Sequence, residues 1–173
     1  RALSGEGFSV VLGARRIDRL AAIAEPLGAR YAALDVTDEA SVAAFCATLD
    51  RVDVLVNNAG NAFGAESLAA SVDDKWRAMF ELNVLGVLRM TRTLLPKLIA
   101  SGDGLIVNLG SMSGTIANRP QPQTPYNVSK AAVHHITRCL AAEWSGQGVR
   151  VNAVAPTYIE TPMVTANPLN KAR

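Results

Sequence analysis

Five consecutive residues, Tyr126-Asn127-Val128-Ser129-Lys130, carry the sharpest chemical signal in the sequence. A Tyr and a Lys four apart near a helix start share one face and lie one turn apart, so their side chains can meet over one bound molecule. A free phenol has a pKa near ~10 and a close ammonium favours the phenolate, which makes the tyrosine usable as an acid or base near neutral pH. Taken alone the spacing is weak, because exposed helices carry many such pairs. Its neighbours strengthen it. A strand-like run at 105–109 leads into Gly110-Ser111-Met112-Ser113-Gly114, placing small hydroxyl residues at the carboxyl end of a parallel strand, where open α/β sheets put their active sites. Ser111 can hydrogen-bond a substrate oxygen there, although serines also simply shape turns. Asp53-Val54-Leu55-Val56-Asn57-Asn58-Ala59-Gly60 is likewise a strand ending in amides and a glycine, an end that can receive a cofactor closely or form a plain turn.

The elements that must position these residues follow a regular order. Short apolar, β-rich runs at 9–14, 30–34, 52–57, 105–109 and 149–154 alternate with amphipathic stretches at 18–26, 39–49, 75–100 and 126–145, the pattern of parallel strands joined by crossover helices. The expected fold class is α/β, a three-layer, doubly wound, Rossmann-like parallel sheet. Residues 1–173 read as a single dinucleotide-binding and catalytic domain that is incomplete at both ends. Residues 1–7 resemble the last turn of a helix closed by a glycine, and in a sheet of order 3-2-1-4-5-6 the first strand detected would be strand two. Strands two and four would then flank a gap, and these 173 residues alone are expected not to fold stably.

Composition narrows the class further. With 49% apolar and 18% charged residues over 173 positions, the chain can bury one sizeable core. No apolar run approaches the ~18 residues of a membrane helix, and the start lacks the layout of a signal peptide. A cytoplasmic location, with no membrane partner, is the default expectation. The net charge of +2 and the dispersed basic residues leave no footprint for nucleic acid. Cys46 and Cys139 have no Cys or His at ligand spacing and read as reduced, packed thiols, and no metal is suggested.

Several motifs in order give a resemblance. The chain resembles the classical short-chain dehydrogenase/reductase family through Asn57-Asn58-Ala59-Gly60, Leu82-Asn83-Val84-Leu85-Gly86, Gly110-Ser111-Met112-Ser113-Gly114, Tyr126-Asn127-Val128-Ser129-Lys130 and Val151-Asn152-Ala153-Val154-Ala155-Pro156. The resemblance implies a catalytic tetrad of Asn83, Ser111, Tyr126 and Lys130, with Ser113 a rival for the serine role because the interval to Tyr126 is long. It implies hydride transfer between a nicotinamide and a carbonyl carbon while Tyr126 exchanges a proton with the oxygen. Lys130 would lower the tyrosine's pKa and hold the nicotinamide ribose, and the Asn83 amide would fix a water leading to solvent. The long segment with Pro120-Gln121-Pro122-Gln123 is similar to that of polyol and sugar-alcohol dehydrogenases of the galactitol type. A 3-oxoacyl carrier thioester reductase is the alternative substrate class, and a catalytically silent dinucleotide sensor the alternative function.

At the end of the second-strand run, Ala14 stands where an acidic residue would bind the ribose of NAD, and Arg15 and Arg16 follow. Guanidinium groups suit a 2′-phosphate, so NADP is the preferred cofactor and NAD the alternative. Asp35 and Val36 are expected beside the adenine. By resemblance, Asn57, Ala59 and Gly60 line the cofactor's middle, Tyr126 and Lys130 its ribose, and Pro156, Ile159 and Thr161 its carboxamide. The phosphate-binding glycine loop of the family is not among these residues, and Thr157 stands where the family usually has glycine, which suggests a constrained backbone there. His134 and His135 read as turned away from Tyr126, in packing or subunit contacts. Trp76 and Trp144 read as core or interface anchors. The apolar faces of helices 75–100 and 126–145 (Val84, Leu85, Val87, Leu88 and Leu94; Ala132, Val133, Ile136 and Leu140) imply, by resemblance, a homodimer or homotetramer.

Overall fold

The computed structural model describes residues 1–64, 67–120 and 122–159. After a short helical turn, α1 (Ala2–Gly5), the strands β1 (Val11–Ala14), β2 (Arg30–Ala33), β3 (Val54–Asn57), β4 (Gly104–Leu109) and β5 (Val149–Val154) alternate with helices. These are α2 (Ile17–Ala24), α3 (Glu39–Ala47), α4 (Asp73–Phe80), α5 (Gly86–Ser101) and α6 (Thr124–Trp144). All pairings are parallel. One ladder joins β1 to β2 and another joins β3 to β4 to β5, with Asn57 opposite Asn108 and Leu109 opposite Val154. Among the described residues no ladder joins β1 to β3.

Local chemistry sets the boundaries. Asp38 caps α3 by accepting from the Ala40 amide. Gly102, at φ 83°, ends α5 in the left-handed conformation that glycine adopts without strain. Helix α2 packs on β1 and β2, α3 on β2 and α5, α5 on β3 and β4, and α6 on β4 and β5. A continuous core runs through these contacts, from Leu34, Val42 and Phe45 to Leu94, Leu98, Ile106, Val149 and Trp144. No helix of the described residues is long and apolar enough to cross a membrane.

Three expectations need correction. The helix expected over 75–100 is interrupted by one π-helical turn, Glu81–Leu85, because the Asn83 side chain is engaged by backbone outside the helix. Cys46 is buried as expected, but Cys139 is exposed on α6. The apolar faces expected at 75–100 and 126–145 are partly used within the chain: Val84, Val87, Leu94 and Val133 are buried, whereas Leu88, Ala132, Ile136 and Leu140 are half-buried and Leu85 is exposed. Trp144 is in the core, while Trp76 stacks on Phe80 and donates to Ser71 Oγ.

Candidate active site

The carboxyl ends of β4 and β5 hold the serine-bearing loop. The Gly110 amide donates to the Val154 carbonyl (2.9 Å) and the Met112 amide to the Pro156 carbonyl (3.0 Å), which continues the β4–β5 ladder past the end of regular pairing. Between them Ser111 is buried, and its Oγ accepts from the Ser113 amide at 3.2 Å. A hydroxyl that accepts in this way keeps its own hydrogen to donate. Ser113 is buried too, and its amide serves Ser111.

Helix α6 starts at Thr124 with Pro125 in its first turn, where the missing amide hydrogen costs nothing. Tyr126 is half-buried. Lys130, only 5% exposed, lies one turn on. Its Nζ is 5.8 Å from the centre of the Tyr126 ring and donates to the Leu109 carbonyl at 2.7 Å. Burial pushes the lysine's pKa down to about 8, since the charged form loses hydration. Even so the group is mostly an ammonium at pH 7.

The π turn aims Asn83 at two neighbours. Its Oδ1 accepts from the Asn61 amide (2.9 Å) and its Nδ2 donates to the Asn61 carbonyl (2.9 Å) and to Ser129 Oγ (3.0 Å). Ser129 in turn donates to the Tyr126 carbonyl at 2.8 Å. Asn83 thus ties the 57–61 loop to the first turn of α6. Both amide hydrogens are taken by protein atoms, so a water held by this side chain would have to donate to Oδ1, which accepts one hydrogen bond from the chain.

Beside this group, which it meets at Asn61 and Gly60, lies a cavity of about 790 Å³ lined by Gly13–Arg16, Leu34–Val36, Leu55–Asn61, Leu82, Gly86, Val87 and Met90. The size suits a small-molecule or cofactor site. Arg15, Arg16, Asp35, Val36, Asn57, Ala59 and Gly60 all line it, as expected. A methyl group added at Gly60 would lie 3.2 Å from Asn83 Oδ1 and 3.3 Å from Lys130 Nζ, close enough that both side chains would have to shift by a few tenths of an ångström. The side chains of Asp35 and Asn57 have local duties. The Thr37 hydroxyl and amide both donate to Asp35 Oδ1 and hold its carboxyl below the usual range. Asn57 is buried, and its Nδ2 donates to Thr91 Oγ1 and Asn108 Oδ1, which leaves its backbone to face the cavity. Pro156 is half-buried and offers its carbonyl to Met112, and Ile159 is exposed. Thr161 lies outside the described residues. Thr157 is exposed, and no described non-glycine residue has positive φ.

Four participants escaped the sequence reading. Asn61 supplies backbone to Asn83, Ser129 bridges Asn83 to Tyr126, and Asn108 pairs with Asn57 and with Thr137. The fourth corrects an expectation. His134 is turned toward the site, with its Nε2 accepting from the Ser111 amide at 3.3 Å, while His135 is exposed. Helical spacing held this signal, because His134 follows Lys130 by four residues and shares its face.

Known proteins are similar to this chain. A family model described as short chain dehydrogenase matches residues 1–172. The chain is 54% identical over 145 residues to galactitol 2-dehydrogenase of Rhizobium johnstonii, covering 80% of this chain and 56% of that protein. It is 45% identical to the L-tagatose-forming galactitol 2-dehydrogenase of Cereibacter sphaeroides, covering 94% of this chain and 66% of that one. The chain therefore spans between half and two thirds of the length of these relatives. Among solved structures it is similar to a gluconate 5-dehydrogenase from Burkholderia cenocepacia in complex with NADP and tartrate, with a TM-score of 0.88 and 30% identity over 98% of this chain and 70% of that one.

Proposed function

The chain belongs to the short-chain dehydrogenase family, and from that premise we propose that its protein interconverts a secondary alcohol and a ketone on a polyol or sugar-like substrate, with NADP preferred over NAD. The observation that carries this reading is the buried Lys130 ammonium held between the Leu109 carbonyl and the Tyr126 ring, next to a Ser111 hydroxyl whose hydrogen is left to donate. When bound, the nicotinamide supplies or takes up a hydride at the reacting carbon. The chain's residues do the rest. Ser111 donates to the substrate oxygen and orients it, Tyr126 gives that oxygen its proton or takes it back, and the Lys130 charge favours the phenolate between those steps. Asn83 acts through the frame it builds, holding Asn61 and Ser129. Ser113 supports Ser111 rather than replacing it.

Arg15, Arg16, Asp35, Val36, Ala59 and Gly60 are the residues that would hold the adenine and ribose half of the cofactor, with Pro156, Ile159 and Thr161 at its nicotinamide end. Two exposed arginines at one end of the cavity suit a 2′-phosphate, and the NADP-bound Burkholderia structure supports the same choice. The polyol class is favoured by the named activity of the two galactitol 2-dehydrogenases. The working form is a homodimer or homotetramer in the cytoplasm, assembled through α5 and α6, where Leu85 and Val128 are exposed. The test is cofactor consumption by the full-length protein on a panel of ketoses, polyols and acetoacetyl thioesters, with NADPH and NADH compared. Turnover of ketoses or polyols with NADP supports the proposal. Turnover of thioesters alone would replace the substrate class, and tight cofactor binding without any turnover would make the protein a sensor.

A further inference from the structure

His134 has no part in the proton transfers above, yet the loop that carries Ser111 is shaped around its ring. A Cβ at Gly110 would lie 2.2 Å from His134 Nε2, and a Cβ at Gly114 would lie 2.8 Å from its Cε1. The imidazole therefore sits in a slot that two glycines, one on each side of Ser111, leave open. The loop's amides divide between two supports. Gly110 and Met112 donate to Val154 and Pro156 at the end of β5, while Ser111, the residue between them, donates to His134 Nε2. A backbone amide can only donate, so Nε2 must be the unprotonated nitrogen, and the ring's proton then belongs on Nδ1, which faces Thr115 Oγ1 at 3.5 Å.

We propose that His134 is a positioning residue for the serine: with its proton on Nδ1, it holds the Ser111 backbone through Nε2 and so fixes where the Ser111 hydroxyl meets the substrate oxygen. The proposal rests on the reading of Ser111 as the oxygen-binding serine. A side chain that merely filled the slot would not need an acceptor atom at this point. The role demands an uncharged ring, since protonation turns Nε2 into a donor and sets it against the Ser111 amide. The surroundings oppose that charge. Lys130 lies one turn before the ring and Arg138 one turn after it on α6, and the loop at 110–115, against which the ring lies, carries no ionisable side chain. Burial first, then these two cations, lower the histidine's pKa. Above that value the serine is held, and below it the support is lost.

The test uses the full-length protein with His134→Gln and His134→Leu variants. Glutamine places a carbonyl oxygen near the position of Nε2 and never titrates, whereas leucine fills the slot without an acceptor. The expected results are a ~10-fold or larger loss of kcat in the leucine variant, unchanged cofactor affinity, and near wild-type kcat in the glutamine variant. The fall of kcat at acid pH should be weaker in the glutamine variant than in the wild type. Ring nitrogen chemical shifts of His134, read by NMR at pH 7.5, should show Nδ1 protonated and Nε2 bare. A proton on Nε2, or a folded leucine variant with wild-type kcat and pH profile, would overturn the proposal. The tautomer is read without turnover, so this inference stands or falls even if the leucine variant does not fold. A Tyr126→Phe protein that keeps its turnover would instead sink the functional reading and leave the tautomer result unaffected.

Discussion

The cavity's β1 end and the group of side chains beside its Gly60 end are built in opposite ways. In that group the functional side chains are buried and bound to one another: Asn83 to Asn61 and Ser129, Asn57 to Asn108 and Thr91, Asn108 to Thr137, and Lys130 to Leu109. At the β1 end Arg15 and Arg16 are exposed, with solvent to neutralise them. Buried polar groups are costly unless paired, and once paired they hold one geometry. Exposed charges are cheap and mobile. Under the proposed function, proton chemistry, which needs atoms placed to fractions of an ångström, falls to the packed side, and recognition of a phosphate, which needs charge and reach, to the open one.

This contrast can be broken or sharpened by substitution. The largest effect is expected from Tyr126→Phe in the full-length protein, which should lower kcat by ~10²–10⁴-fold, the usual range for losing a general acid, with cofactor affinity unchanged in a fluorescence titration. Next comes Asn83→Leu, which leaves the amide and carbonyl of Asn61 without their partners. It should cost about 4 kcal/mol of stability in denaturant unfolding. Arg15→Ala, at the open end, should move the same midpoint hardly at all.

Lys130 gives a pH signature. Its folded pKa of about 8 lies below the ordinary 10.5, so between those values the unfolded chain binds the extra proton and stability rises with pH. The cost of the buried charge is present in full below pH 8, and its relief is bounded by ~3 kcal/mol. The Lys130→Met protein should lack this rise, as urea unfolding at a series of pH values would reveal. The smallest effect belongs to the arginines. Replacing both Arg15 and Arg16 by Ala should raise KM for NADPH by ~10-fold, about the weight of one partly exposed charge-assisted contact, and leave KM for NADH nearly unchanged.

How far the sequence could be read follows the same division. The strand at 149–154 and the alternation of strands and helices were legible because apolar runs covered on both faces leave a plain signal. The shared face of Tyr126 and Lys130 was legible from helical spacing, but the burial of Lys130 was not. The π turn at Glu81–Leu85 was not, because its cause lies in hydrogen bonds from Asn83 to a loop 22 residues away. Asn61 escaped notice because it contributes backbone, which no residue type announces. His134 was misjudged by measuring its direction from Tyr126, eight residues away, when the nearer reference was Lys130 at four.

Under the proposed function, Tyr126 controls the proton of a hydride transfer to a carbonyl beside this cavity. The most direct measurement is transfer of deuterium from NADPH dideuterated at C4 to a ketose, with the full-length protein and its Tyr126→Phe variant compared by mass spectrometry of the product. The account predicts one deuterium on the new carbinol carbon with the wild type and almost none with the variant. Equal labelling by both proteins, or a wild type that binds the cofactor without labelling any product, would contradict it.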